Sequence, residues 1–109
     1  MATFFRNKVV NEVGTTPVRV LETDGNTRTT IVGMSLANLT DGLVYVSVSV
    51  LDDTSTLGYF MKEIPLPPNT SLRALSAGEK LVLAPINELY IETDTENSID
   101  AIISYVDIV

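Results

Sequence analysis

The chain contains neither histidine nor cysteine. Imidazole proton shuttling, thiolate catalysis, thiolate metal sites and disulfides are therefore excluded by composition. Nucleophilic chemistry would need a Ser-Lys pair, a threonine or two converging carboxylates. None of the three lysines, Lys8, Lys62 and Lys80, stands three residues after a serine. The adjacent acids Asp52-Asp53 follow the run LVYVSVSVL; neighbours on a strand point to opposite faces, so this pair suits a turn better than a paired-carboxylate site. Asp94, Glu96, Ser98 and Asp100 alternate like the start of a calcium loop. However, Ile99 stands where that loop needs glycine and Tyr105 where it needs a bidentate glutamate. An acidic hairpin is the better reading. Gly25, Gly33, Gly42, Gly58 and Gly78 never reach a phosphate-cradling spacing. Asn38-Leu39-Thr40 and Asn69-Thr70-Ser71 match glycosylation triplets but read as turn residues. No catalytic residue, metal ligand or cofactor is assigned, and the chain is read as a non-enzyme.

Charge narrows the partners. Across 109 residues the formal charge is −7, which disfavours nucleic acid, since that partner needs lysine and arginine to replace phosphate counterions. The charge is also uneven: the first 28 residues hold Arg6, Lys8, Arg19 and Arg28 against Glu12, Glu22 and Asp24, while residues 88–109 hold six acids and no base. Copies of such a chain can meet head to tail. The alternative is scattered, solvated charge. Apolar runs such as LVYV at 43–46 fall far short of the roughly 18 residues of a membrane span. MATFFRNKVV has no signal-peptide pattern, so a cytosol-like compartment and no membrane partner are expected.

Any surface this chain uses must be positioned by strands. Val44, Val46, Val48 and Val50 alternate with Tyr45, Ser47 and Ser49, the pattern of a strand with one face in a core. Similar patterns predict strands at 4–12, 17–23, 28–39, 43–51, 57–64, 71–75, 80–84, 88–94 and 98–108. Asp24-Gly25-Asn26, Asp41-Gly42, Pro65 to Asn69, Ser76-Ala77-Gly78 and Thr95-Glu96-Asn97 separate them. Strands about ten residues apart without an intervening helix predict one all-β domain over residues 1–109, an antiparallel, jelly-roll-like β-sandwich.

Alternation assigns Val18, Val20, Val32, Met34, Leu36, the four valines, Phe60, Ile64, Leu81, Leu83, Leu89, Ile91, Ile99, Ala101, Ile103 and Tyr105 to the core. Tyr45, Ser47 and Ser49 are expected to face outward or toward a neighbouring protein, and Ser47→Ala should leave folding nearly unchanged. Two strands have apolar residues to spare: Ile102, Val106 and Ile108 on the outer face of the last, and Tyr59 and Met61 opposite Phe60. A solvated antiparallel face is normally polar, so a neighbouring subunit is the expected cover. Phe4, Phe5, Arg6 and Lys8 combine apolar anchors with positive charge near the N-terminus. Residues 1–8 can serve as an extended docking arm or begin an edge strand.

The runs FFRNKVVNEVGTTPVRVLET, RTTIVGMSLANLTDG, GYFMKEIPLPPNTSLRAL, EKLVLAPINELYIET and AIISYVDIV resemble the small all-β virion structural proteins of tailed bacteriophages, cyanophages among them. The resemblance covers almost the whole chain. It implies a non-enzymatic, multi-copy particle component assembled in the host bacterial cytoplasm, often trimeric, partnered by the major capsid protein or another virion protein. A capsid decoration protein is the first reading. The second is a neck, tail or fibre component, including a receptor- or carbohydrate-binding module, which an exposed cluster of Tyr45, Tyr59 and Tyr90 would favour.

Overall fold

A computed structural model describes residues 2–75 and 80–109. Among these residues nine strands are present: β1 Thr3–Val13, β2 Val18–Glu22, β3 Arg28–Asn38, β4 Val44–Leu51, β5 Leu57–Leu66, β6 Ser71–Arg73, β7 Leu81–Leu83, β8 Glu88–Thr93 and β9 Ile99–Ile108. No helix occurs among the described residues. Each strand lies within two residues of its expected range. The turn expected at Ser76-Ala77-Gly78 lies outside the described residues.

The pairings are all antiparallel and nest like a long hairpin rolled on itself. β4 pairs β5, β3 pairs β6 and β7, β2 pairs β8, and β1 pairs β9. Further pairing of β3 with β9 and of β4 with β8 gathers these ladders into two sheets. One, the β9 sheet, runs β1-β9-β3 with β6 and β7 sharing the far edge of β3; the other, the β8 sheet, runs β2-β8-β4-β5. Two such sheets connected in this way make a jelly roll, as expected, with β6 and β7 together taking the place of one strand.

The core lies between the sheets. Ile31, Leu36, Leu83, Ile99, Ala101 and Ile103 of the β9 sheet face Val46, Val48, Leu89 and Ile91 of the β8 sheet, all fully buried. Simple alternation fails where the strands bulge. In β3, Ile31 pairs Tyr105 and Gly33 pairs Ser104, leaving Val32 as an extra residue. The inward set therefore changes from odd to even numbers: Ile31 is 0% exposed, whereas Val32, expected in the core, is 47% exposed. β1 has the same device, because Val10 pairs Ala101 and Val13 pairs Ile99 around Glu12, whose φ is 53°.

Strand β5 carries two such irregularities. They turn Met61 inward, where it packs on the core, and leave Phe60 exposed. The expectation for both residues is thus reversed. The same region corrects the reading of Ser47 as a bystander. Ser47 is buried, and its Oγ accepts a hydrogen bond of 2.9 Å from the backbone N–H of Glu63, whose φ is 50°. A side chain thus supplies the partner that the interrupted ladder cannot.

Measured by urea unfolding, Ile31→Ala should cost about 2–5 kcal/mol and Val32→Ala no more than about 0.5 kcal/mol. That ordering is the opposite of what uninterrupted alternation requires. Ser47→Ala should cost about 1 kcal/mol, since it strips a partner from the Glu63 N–H.

Candidate assembly surfaces

Of the nine residues expected to make protein contacts, Met61 packs on the core and the other eight fall on three separate surfaces. Register decides which, because directly paired residues in an antiparallel ladder share a face. In β1 and β9 the pairs are Thr3 with Ile108, Phe5 with Val106, Asn7 with Ser104 and Val9 with Ile102. These project from the outer face of the β9 sheet, since the intervening Ala101 and Ile103 are buried. Phe5, Ile102, Val106 and Ile108 therefore come together.

The row continues across the sheet. Val106 pairs Thr30, and Thr30 pairs Val82 of β7. Among the described residues nothing covers this face: Phe5 is 84% exposed, Val9 61%, Val82 59% and Ile102 49%. Val9, Val32 and Val82 are absent from the expected contact set. Val9 was legible in the alternation Phe5-Asn7-Val9. Val82 was legible only as the middle of a Leu-Val-Leu strand whose leucines face the core, and Val32 only once its bulge was known.

Phe4, Arg6 and Lys8 lie on the opposite face of β1, paired with Asp107, Tyr105 and Ile103. Residues 3–8 are therefore an edge strand bonded along their length to β9, not a free arm. The Arg6 guanidinium sits 5.0 Å from the Phe4 ring centre, and its Nε lies 3.1 Å from Asp107 Oδ2. Asp107 Oδ1 accepts a 2.6 Å hydrogen bond from the Thr29 hydroxyl. One carboxylate thus ties β1 and β3 to β9. Partial burial, with the Asp107 charge, raises the Tyr105 hydroxyl above its usual range.

Tyr59 occupies the outer face of the β8 sheet. Tyr59 and Tyr90 flank Ser49 in one row, next to Arg19. Lys62 Nζ lies 4.2 Å from the Tyr59 ring centre, within cation–π range. Arg19 Nη1 contacts Glu88 at 3.0 Å and Glu22 at 3.4 Å, and the Tyr90 hydroxyl donates to Glu88 at 3.0 Å. Partial burial first, then that bond, raises the Tyr90 hydroxyl. Beyond this row Tyr45, Ser47, Lys62, Glu63, Glu92 and Asp94 border a shallow cleft of about 360 Å³.

The acids of the 94–100 hairpin diverge. Asp94 Oδ1 accepts from the Tyr45 N–H at 3.0 Å, Asp100 Oδ1 accepts from the Glu12 N–H at 2.9 Å, and Glu96 accepts from the N–H and hydroxyl of Thr15. Each carboxylate thus serves a different strand junction. Among the described residues no group of three or more acidic, histidine or cysteine side chains is placed to hold a metal. Asp52 closes the β4–β5 turn, accepting from the Thr54 N–H and hydroxyl at 2.9 and 2.6 Å and from the Thr56 N–H at 3.0 Å.

No family model and no curated protein matches this chain. Solved structures do. A chain of the Bacillus endospore appendages, described as a novel family of disulfide-linked pili, aligns with a TM-score of 0.58 at 7% identity, over 96% of this chain and 86% of that one. A chain from the acidic stable capsid of Helicobacter pylori bacteriophage KHP30 aligns with a TM-score of 0.53 at 10% identity, over 100% and 89%. The likeness is one of fold. Disulfide linkage cannot extend to a chain without cysteine.

The hydroxyl of Thr54, more than the Thr56 N–H, holds the Asp52 carboxyl below its usual range, and Thr15 does the same for Glu96. A lowered folded pKa contributes stability that is fully present above the unfolded value, about 3.9–4.3, and is lost as the pH falls through the folded value. The melting temperature of Asp52→Ala should therefore lie below that of the parent by a constant margin above about pH 5, and the margin should shrink below pH ~4. A chelator should leave the parent's midpoint unchanged at neutral pH; a fall of several degrees would make Asp94, Glu96 and Asp100 metal ligands instead.

Proposed function

We propose that this chain is a non-enzymatic structural subunit of a bacteriophage virion, and that it works as a capsid decoration protein packed against shell subunits. The observation that carries the reading is the set of apolar residues on the outer face of the β9 sheet: Phe5, Val106 and Val82 lie on one line across the strands with Thr30 between them, and Val9 and Ile102 lie on a second, with Asn7 and Ser104 between the two lines. Exposed apolar residues gathered on one sheet face mark a protein contact more often than a solvated face. An open sheet face suits a protein surface and not a small ligand that must be enclosed. Two findings support the setting. The sequence resembles small all-β virion proteins of tailed phages, and one structural neighbour is a chain of a phage capsid. A virion location, self-association and a capsid-protein partner follow from that setting.

A second reading rests on the outer face of the β8 sheet, where Tyr45 and Tyr59 are exposed and Tyr90 is partly exposed beside carboxylates. It makes the chain a neck, tail or fibre component with a receptor- or carbohydrate-binding face. The two readings differ in copy number and in which face matters.

Val82→Asp with Ile102→Asp places charge on this apolar face without touching the core. Mixed with phage particles lacking the protein and sedimented, the parent should pellet with the particles at hundreds of copies each. The variant should fold normally by circular dichroism and stay in the supernatant. Equal binding by the variant would overturn the decoration reading. Three to a few dozen copies per particle, with binding lost in Tyr45→Ala instead, would establish the second.

A further inference from the structure

Backbone geometry at the free edge of β1 points to a partner for the chain that is independent of any particle. Ala2 and Val109 exchange both backbone hydrogen bonds, at 2.8 and 2.9 Å. In an antiparallel ladder such doubly bonded pairs recur at every second residue. The pairs Phe4–Asp107, Arg6–Tyr105 and Lys8–Ile103 therefore also turn their backbone groups toward β9. Thr3, Phe5, Asn7 and Val9 turn theirs the other way. β1 is the end strand of its sheet, so among the described residues these four N–H and four C=O groups form an unpaired ladder.

Edges of this kind recruit another strand unless short length, proline or a bulge blunts them. Among the described residues the other edges are blunted. β6 and β7 are three residues each, β2 is five residues with a register shift, and β5 has two shifts and Pro65. From Thr3 to Val9, β1 has no proline and no shift, and its residues are exposed on both faces. Its one matching partner in length and regularity is β1 itself.

We propose that two copies pair through β1, antiparallel about a two-fold axis at Asn7, joining their β9 sheets edge to edge. The bonding pattern restricts the register, because outward-turned residues must face outward-turned residues. Centring on Asn7 satisfies this and sets Phe5 opposite the second copy's Val9, an aromatic–β-branched pair of the stabilising kind. On the other face Phe4 then meets Val10. Centring on Arg6 or on Lys8 would instead stack identical cations. The Asn7 register still brings Arg6 opposite Lys8, but Arg6 is already neutralised by Asp107 at 3.1 Å. Raising the salt concentration should therefore tighten the dimer by screening that remaining repulsion. This arrangement departs from the trimer implied by the family resemblance.

The absence of cysteine makes the test clean. In the Asn7 pair the two Cα atoms would be about 5.5 Å apart, within disulfide range. Purified Asn7→Cys should oxidise to a covalent dimer, while Asn11→Cys, which faces Thr3 and not its own copy, should not. Asn7→Pro removes only an N–H aimed at solvent, a substitution that edge strands tolerate. Sedimentation equilibrium should show the parent as a dimer and Asn7→Pro as a monomer with unchanged circular dichroism. A monomeric or trimeric parent, a dimer undisturbed by Asn7→Pro, or cross-linking at position 11 equal to that at position 7 would each overturn the proposal. None of these results bears on the particle-contact face, whose variants lie at Val82 and Ile102, outside β1, and are read by co-sedimentation.

Discussion

A strand can keep one face in a core only while its inward residues stay two apart, and every other feature of this molecule follows from how that parity is kept and broken. Nested pairing from β4–β5 out to β1–β9 brings nine short strands into two sheets, but their twist and curvature cannot be sustained by uninterrupted ladders. Bulges absorb the difference. Each one inserts a residue and exchanges the two faces beyond it. In β3 this happens at Val32, so Ile31 and Met34 both reach the core from positions of opposite parity. Without that step one half of β3 would turn its apolar residues to solvent. The extra residue has nowhere to go except outward, which is why an aliphatic side chain with no inner partner appears on the surface.

The two sheets are also unequal. β1, β3 and β9 run ten or eleven residues, whereas in the β8 sheet only the edge strand β5 reaches ten, and β2, β4 and β8 run five to eight. The shorter sheet covers the longer one only in part, and the N-terminal half of β1 extends past the cover, exposed on both faces. An uncovered ribbon needs polar stitching in place of packing. The Asp107 carboxylate provides it, holding Arg6 of β1 and Thr29 of β3 on either side of β9. An exposed ion pair of this type contributes modestly, on the order of 0–1 kcal/mol. Its role is therefore to orient the overhang more than to stabilise the fold.

Much of this was legible in the sequence. Period-two spacing and turn chemistry located all nine strands, and the valines of β4, the leucines of β7 and the isoleucines of β9 declared their inner faces correctly. The misses share one cause. Val32, Phe60 and Met61 were assigned by extrapolating parity through bulges, and a bulge is set by tertiary pairing, with no required residue at the site. Ser47 looked like a solvent residue for the same reason: the groups that cover it belong to the irregular part of β5, sixteen positions away. The outer surfaces were less legible than the core, because an outward apolar residue gains meaning only when register brings others beside it. Phe5, Val106 and Val82 are far apart in sequence and lie on one line across the strands.

Charge placement gives the overhang its distinct character. A chain with a net charge of −7 repels its own copies and any other acidic surface at long range. Close contact is then least costly where the acids are fewest. Glu88, Glu92 and Asp94 gather on or beside the outer face of the β8 sheet, and Asp52 and Asp53 at the β4–β5 turn. The half of the β9 sheet that projects beyond the core holds Arg6, Lys8 and Arg28, and its acid, Asp107, is already paired. Apolar surface, an unpaired backbone ladder and relief from negative charge thus coincide at one end of the molecule. The sheet face offers area and the sheet edge offers register. Two contacts of different geometry can therefore be made there together, which is what a subunit must do if it is to hold a neighbour of its own kind while lying on a surface of another.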